Sequence, residues 1–528
     1  MSASASPVAD NATFPVDPSS PDNLALDIKE FIRNTYTEEL VLTLCGFIGT
    51  DIHGVGDSLQ KILEGDFGYK VEVIKLSTFI KTYAAAAANV DQLFSGYEKT
   101  RKLIEGGNNL RETYDPSILA QLAIQRISYD RIKEKSGEAF KSVRKCFIVD
   151  SIKNVEEFEL FKMVYNDIHY SIGIFSPLET RVNHLAHGSK SMREDEIYSL
   201  INRDSGEEVE HGQQVRDTFT RSDYFLRLDE NVNDLIEMKL RRFISLIFGV
   251  KVVTPTADET AMYHAASAAS NSACLSRQVG AALTDVNGEI LSIGWNDVPR
   301  ADGGLYQSSW NSDPLRNEDK RCYNLGEGGC WNDREKNFMA DELVDILIAD
   351  GIVPPENRLI LFQKIRNSKI KSLVEFSRSI HAEMHALISG CQATGNRVKR
   401  GKLYITTYPC HNCARHIIVA GIKKVYYIEP YRKSLTTKLH FDAITEKEES
   451  GDKVEILMYD GVAPSRYMDL FKMLPDSRKI VGVGSLKPHD SKKAKPKGSL
   501  SLEAIPVLES KVAAELGKKG LKIANQSL

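Results

Sequence analysis

The 528-residue chain has only eight cysteines and three tryptophans. Cysteine at that density excludes a disulfide-stapled secreted scaffold and fits a reducing compartment, so a cytoplasmic location is expected. No apolar run reaches the ~20 residues that cross a bilayer, and the stretch Phe243–Val253 falls well short. No membrane partner is therefore expected. An excess of one charge is also missing. Lys and Arg number 68 and Asp and Glu 72, a formal charge of −4, which argues against a chain built to coat nucleic acid or an anionic surface. The first twenty residues, MSASASPVADNATFPVDPSS, have neither a basic start nor an apolar stretch. They do not read as a secretory signal, and residues 1–37 are expected to form a disordered tail. No internal repeat of fixed period is present.

What is there reads as α/β. Val41–Ile48, Tyr69–Leu76, Arg144–Asp150 and Ile168–Phe175 have strand patterns, with helical patterns at 77–104 and 116–135 between them and at 230–248 after them. That alternation predicts a doubly wound parallel sheet over residues 38–250. A second unit is expected over 256–475. Its order is a helix at 258–276, a hairpin of Val279–Leu283 and Glu289–Gly294 turning at Val286-Asn287-Gly288, and a polar insertion at 298–376. A helix from His381, a strand Lys402–Thr407, a helix from His411 and a strand Lys424–Ile428 follow. Residues 476–528, lysine-rich between 487 and 497, read as a basic linker and tail with a helical pattern near 502–516.

The strongest chemical signal is His381-Ala382-Glu383 followed by Pro409-Cys410-His411-Asn412-Cys413. Cys410 and Cys413 are three apart, so both thiolates fit one face of a first helical turn, where the helix N-terminus favours the deprotonated form. With the His381 imidazole they make a three-ligand zinc site that leaves the fourth tetrahedral position for water. At a helix start Glu383 can stand beside that water without binding the metal and can move protons. The pattern H-x-E…P-C-x-x-C is the signature of zinc-dependent nucleobase deaminases. A closed structural zinc site is the alternative; it needs a fourth protein ligand, for which His385, His411, His416 and His440 are available.

Residues 256–475 resemble the cytidine and deoxycytidylate deaminase superfamily, through SRQVGAAL (276–283), GWNDVP (294–299), HAEMHAL (381–387), TTYPCHNCARHIIVAGIKKVYYIEPYRKS (406–434) and LHFD (439–442). The arrangement is similar to bacterial two-domain anti-phage dCTP/dCMP deaminases, which join an N-terminal P-loop kinase-like domain to a C-terminal cytidine deaminase-like α-β-α domain. The resemblance implies hydrolysis of deoxycytidine nucleotides, dCTP or dCMP, to deoxyuridine nucleotides and ammonia, draining dCTP during phage infection. It also implies that His381, Cys410 and Cys413 bind zinc, that Glu383 shuttles protons, and that the chain assembles as a homo-oligomer. Asn296 is expected to hydrogen-bond the sugar, with a turn-forming Asn-Asp as the bland reading. Lys433 and Ser434 are candidates for the substrate phosphates. Cys322 and Cys330, inside the insertion, could contribute to a second, structural zinc but read equally as packed thiols.

A glycine loop, Gly46-Phe47-Ile48-Gly49-Thr50-Asp51-Ile52-His53-Gly54-Val55-Gly56, follows the first strand. Gly49 and Gly54 have Walker A spacing, but Val55 and Gly56 stand where Lys and Ser or Thr belong. Phosphoryl transfer is therefore not expected. Binding of ATP or another nucleotide at Gly49, Gly54 and Gly56, for regulation, competes with a purely structural loop. An inhibitory RNA is a second candidate regulator. Two other functions compete with free-nucleotide deamination. A polynucleotide editor would want a basic groove, yet residues 261–470 hold 26 Lys and Arg against 26 Asp and Glu. A P-loop kinase or switch with a deaminase-like binding module conflicts with the missing P-loop lysine and the intact H-x-E.

Overall fold

The computed structural model describes residues 28–133, 142–187, 192–204, 212–228, 233–308, 319–430, 434–448, 451–473, 478–480 and 482–521. Among them no helix is long and apolar enough to cross a membrane.

The chain builds two six-stranded sheets. The first holds β1 (Leu40–Gly46), β2 (Lys70–Lys75), β3 (Lys145–Asp150), β4 (His169–Phe175) and β5 (Tyr224–Arg227). β1 runs between β3 and β4, and these five strands are parallel throughout. All seven residues of β1 are buried, as expected of a strand covered by helices on both faces. β5, only four residues long, gives no readable alternation in the sequence.

The second sheet holds β6 (Gly280–Thr284), β7 (Ile290–Trp295), β8 (Lys402–Thr407), β9 (Lys424–Glu429), β10 (Ile444–Thr445) and β11 (Val454–Met458), in the order β10-β11-β9-β8-β6-β7. The β6–β7 hairpin is antiparallel, and β8, β9, β11 and β10 follow in parallel. Two glycines let helices lie flush on it. A Cβ on Gly280 would fall 1.9 Å from Ala265 O, under the helix Ala257–Ala269, and one on Gly294 would fall 2.5 Å from Ala382 O, under the helix Ala382–Thr394. The insertion is largely helical, with Trp331–Ala349 packed on Arg358–Arg366.

Described residues near both ends of the chain pack on the first sheet's unit. Residues 1–27 lie outside the described residues, but Ile28–Asn34 is helical and Tyr36 bridges Ser501. The helix Ile505–Lys518 packs on the helix Ile118–Lys133. It buries Leu502, Ile505 and Leu516, residues whose apolar spacing outweighs the lysines before them. Arg131, buried on Ile118–Lys133, is held between Glu39 and Glu509, and Tyr165 donates to Glu509 Oε1 at 2.9 Å. A further strand, β12 (Gly461–Val462), leaves the second unit and adds antiparallel to β5.

Removing Glu509 from this buried cluster leaves Arg131 with Glu39 alone and the Tyr165 hydroxyl without its acceptor. Glu509→Ala should therefore cost about 3 kcal/mol, seen as a lower denaturant midpoint for the N-terminal unit. An unchanged midpoint would mean that the C-terminal helix is not part of that unit's core.

Candidate active site

Two helices begin at one point above the second sheet. His381 is the N-cap of Ala382–Thr394, and Cys410 is the N-cap of His411–Val419, so Cys413 falls in the first turn. His381 Nδ1 lies 3.4 Å from Cys410 Sγ and 3.3 Å from Cys413 Sγ. All three donors lie within 4.8 Å of one another, the one such group of metal donors among the described residues. A tetrahedral zinc with ordinary Zn–N and Zn–S bonds needs nitrogen–sulfur separations of roughly 3.5 Å. The donor set and its spacing fit that ion.

No fourth protein ligand joins them among the described residues. His385 Nδ1 accepts from Trp295 N–H at 3.2 Å, His416 Nδ1 lies 2.7 Å from Asn412 O, and His411 faces Glu375. The arrangement is thus that of an open site rather than a closed structural one.

Close packing shifts every group of the cluster, and Cys413 is pushed well above its ordinary value, first by its hydrogen bond with Cys410. The Cys410 thiol is held down to about 4, chiefly by its hydrogen bond with Cys413 and further by His381, against the opposing effect of burial. His381 is raised to about 9, first by its hydrogen bond with Cys410. Glu383, in the first turn and 4% exposed, is pushed up by burial. Its carboxyl therefore keeps a proton more readily than a surface glutamate does.

His381, Cys410 and Glu383 floor a cavity of about 290 Å³ whose lining includes Arg277, Val279, Asn296, Thr407 and Tyr408. The insertion contributes Asn332 and Val374 to the wall, with Ser377 and Ser379 just beyond its expected end. Both flanks of the insertion are tied at buried Asp297, whose carbonyl accepts from Ile380 N–H at 3.0 Å and whose carboxylate accepts from Ala273 N–H at 3.0 Å. Sequence reading missed Arg277, which pairs with Glu429 at 3.2 Å, because a lone arginine before a strand carries no spacing signal.

Asn296 lies in the lining, 8% exposed. Its Oδ1 accepts from Val279 N–H at 2.7 Å and its Nδ2 donates to Arg277 O at 2.8 Å, which leaves one acceptor and one donor capacity for a ligand. Ser434 hydrogen-bonds Pro409 O at 2.9 Å and Thr436, bracing the turn before Cys410. Lys433 lies outside the described residues. Cys322 is buried, and Cys330 Sγ lies 3.3 Å from Ser276 Oγ. Neither joins a group of three metal donors among the described residues.

The three N-terminal glycines do different things. Gly49, at φ 84°, packs beneath Arg181, whereas a Cβ on Gly56 would face Leu44 of the sheet. Gly54 N–H donates to Asp51 Oδ1 at 3.0 Å, so the helix Ile52–Phe67 is capped by a carboxylate of its own chain. Lys153, the cation at the loop's base, donates to Gly46 O at 2.6 Å and pairs with Asp204 at 3.0 Å.

The donor set predicts about one zinc per chain in purified protein. Cys413→Ala should lower that content sharply in elemental analysis, and full retention would place the ion elsewhere.

Comparison with known proteins bears on this region. The chain is 46% identical over 56 residues to "ComE operon protein 2" of Bacillus subtilis (strain 168), an alignment covering 11% of this chain and 29% of that protein. It is 28% identical over 163 residues to the "Deoxycytidylate deaminase" of Enterobacteria phage T4, covering 31% of this chain and 72% of that protein. Among solved structures, the dCMP deaminase of cyanophage S-TIM5 in complex with dCMP and dUMP aligns at 21% identity with a TM-score of 0.23, over 39% of this chain and 99% of that one. Residues 255–429, which contain all three metal donors and Glu383, match the family described as the cytidine and deoxycytidylate deaminase zinc-binding region.

Proposed function

We propose that the chain hydrolytically deaminates deoxycytidine nucleotides, dCMP or dCTP, to deoxyuridine nucleotides and ammonia. The observation that carries this reading is the convergence of His381, Cys410 and Cys413 beside buried Glu383, with His381, Cys410 and Glu383 in the lining of one cavity. Zinc held by those three residues supplies a Lewis acid that makes water ionisable near neutral pH. Glu383 accepts the proton of the water that adds to the ring carbon bearing the amino group. It passes that proton to the ring nitrogen beside that carbon, then carries the new hydroxyl's proton to the amino nitrogen as the carbon–nitrogen bond breaks, so ammonia leaves and a carbonyl remains. Burial serves this relay, since a carboxyl whose proton affinity is raised holds each proton between its two transfers.

Asn296 keeps one donor and one acceptor capacity toward the cavity and is assigned to the sugar hydroxyl. Arg277 is the guanidinium in the described lining and is assigned to the phosphate nearest the sugar; Lys433 and Ser434 follow the adjoining strand β9. The insertion's contribution to the wall favours a small nucleotide over a base within a polymer. Consumption of deoxycytidine nucleotides would starve a replicating phage of a DNA precursor.

Incubation with a panel of cytosine nucleotides, nucleosides and oligonucleotides tests this, with ammonia release and chromatography as readouts. Free dCMP or dCTP should turn over fastest, and a preference for oligonucleotides would overturn the assignment. Glu383→Ala should keep its zinc yet lose roughly 10²- to 10⁴-fold in turnover; near-normal turnover would remove the proton-shuttle role.

A further inference from the structure

The cavity wall at Tyr408 is held from outside the sheet that carries it. Tyr408 lines the cavity and is 8% exposed. Its backbone N–H donates to Glu429 O at 2.8 Å, and its ring packs edge-on against Tyr427 with centroids 4.9 Å apart. Its hydroxyl donates to Glu446 Oε1 at 2.9 Å. Glu446 is not among the lining residues.

Glu446 begins a strip, Glu446-Lys447-Glu448, directly after β10. Two of its members pair with the N-terminal unit: Lys447 with Glu179, and Glu448, whose Oε2 accepts from Arg227 Nη2 at 2.9 Å. Burial pushes the Glu446 carboxyl up, and the Tyr408 hydroxyl and the Arg181 charge oppose that. Glu179 and Arg181 share the helix Leu178–His187, while Arg227 ends β5. The exposed Lys447–Glu179 pair contributes little by itself. The hydroxyl-to-carboxylate bond from Tyr408 is the stronger tie.

Arg181 is 8% exposed and lies 5.3 Å from the Phe47 ring. Its Nε and Nη1 have no hydrogen-bond partner among the described residues. Buried nitrogens without hydrogen-bond partners are costly; burial lowers the Arg181 proton affinity, and the carboxylates of Asp204 and Glu446 oppose that. The same helix abuts the glycine loop. A Cβ on Gly49 would fall 2.8 Å from Arg181 O, and His184 Nδ1 lies 3.1 Å from Gly49 O. Contacts thus run from the glycine loop to the helix Leu178–His187, from that helix through the Glu179–Lys447 pair to the strip, and through Glu446 to Tyr408 in the cavity wall.

We propose that Glu446 is a positioning residue that sets Tyr408 against the bound nucleotide, and that the N-terminal unit governs this setting through the helix Leu178–His187. The identity of the nucleotide rests on the deaminase reading; the mechanical link does not.

Full-length zinc-loaded variants test the proposal. Tyr408→Phe and Glu446→Ala should each raise KM for dCMP or dCTP roughly threefold to tenfold, the range of one hydrogen bond, with a smaller change in kcat. The double variant should be no worse than either single one, because both remove the same contact. Glu446→Gln, whose amide oxygen still accepts from Tyr408, should recover most of the loss. Arg181→Met should shift KM in the same direction from the other unit. An unchanged KM in Glu446→Ala, additive losses in the double variant, or a fall in kcat alone would each overturn the proposal. Amide exchange provides a readout independent of turnover. In Glu446→Ala and Arg181→Met, the peptide 404–413 should exchange at least roughly threefold faster than in the unaltered chain, and equal rates would overturn the link. If the unaltered chain released no ammonia from any nucleotide, the deaminase reading would fail, whereas faster exchange in these variants would still uphold the link.

Discussion

His381 Nδ1 sits within 3.4 Å of two cysteine sulfurs, and that closeness requires two helices to start side by side. The helix from Ala382 is pressed onto β7 at Gly294, and the helix from His411 follows β8. Each helix opening presents unpaired N–H groups and a positive dipole end, which suits thiolates and disfavours bulk around them. Glu383 reaches the cluster because it is the second residue of its helix, before the turn carries side chains apart. Everything attributed to the cavity follows from this shared starting point.

Local chemistry of this kind is legible in sequence. A His-x-Glu and a Cys-x-x-Cys at helix openings have fixed spacing, and strands such as β1 are uninterrupted apolar runs. Short strands are not legible: β5, β10 and β12 have between two and four residues, too few for a period to register. The roles of Arg277, Asn332 and Tyr408 are likewise not legible, since two lie in loops and one opens a helix of the insertion, and they meet only through the tertiary fold. Asn296 was legible as a position, but its bonds to the backbone at Arg277 and Val279 were not. The C-terminal helix was legible as a pattern near 502–516. Its destination was hidden, because a run of lysines looks solvated until Leu502, Ile505 and Leu516 are seen buried.

The two sheets are not beads on a string. β12 leaves the second unit to complete the other sheet's edge, and Arg466, a few residues on, pairs with Asp223 at 2.6 Å. Arg242 of the helix Asn233–Phe248 pairs with Glu259 at 2.6 Å, where the second unit begins. Such contacts join the units on more than one side, which restrains the free hinge motion that a simple linker would permit.

The burial of Glu509 against Arg131 has a consequence for biosynthesis. The N-terminal unit is translated first, yet its core includes a helix that begins at Ile505. While the ribosome makes the intervening residues, the apolar face of Ile118–Lys133 and the Arg131 charge lack their covering segment. That core is thus complete only once residues 505–518 have emerged, and until then its uncovered apolar face is the kind of surface that chaperones shield.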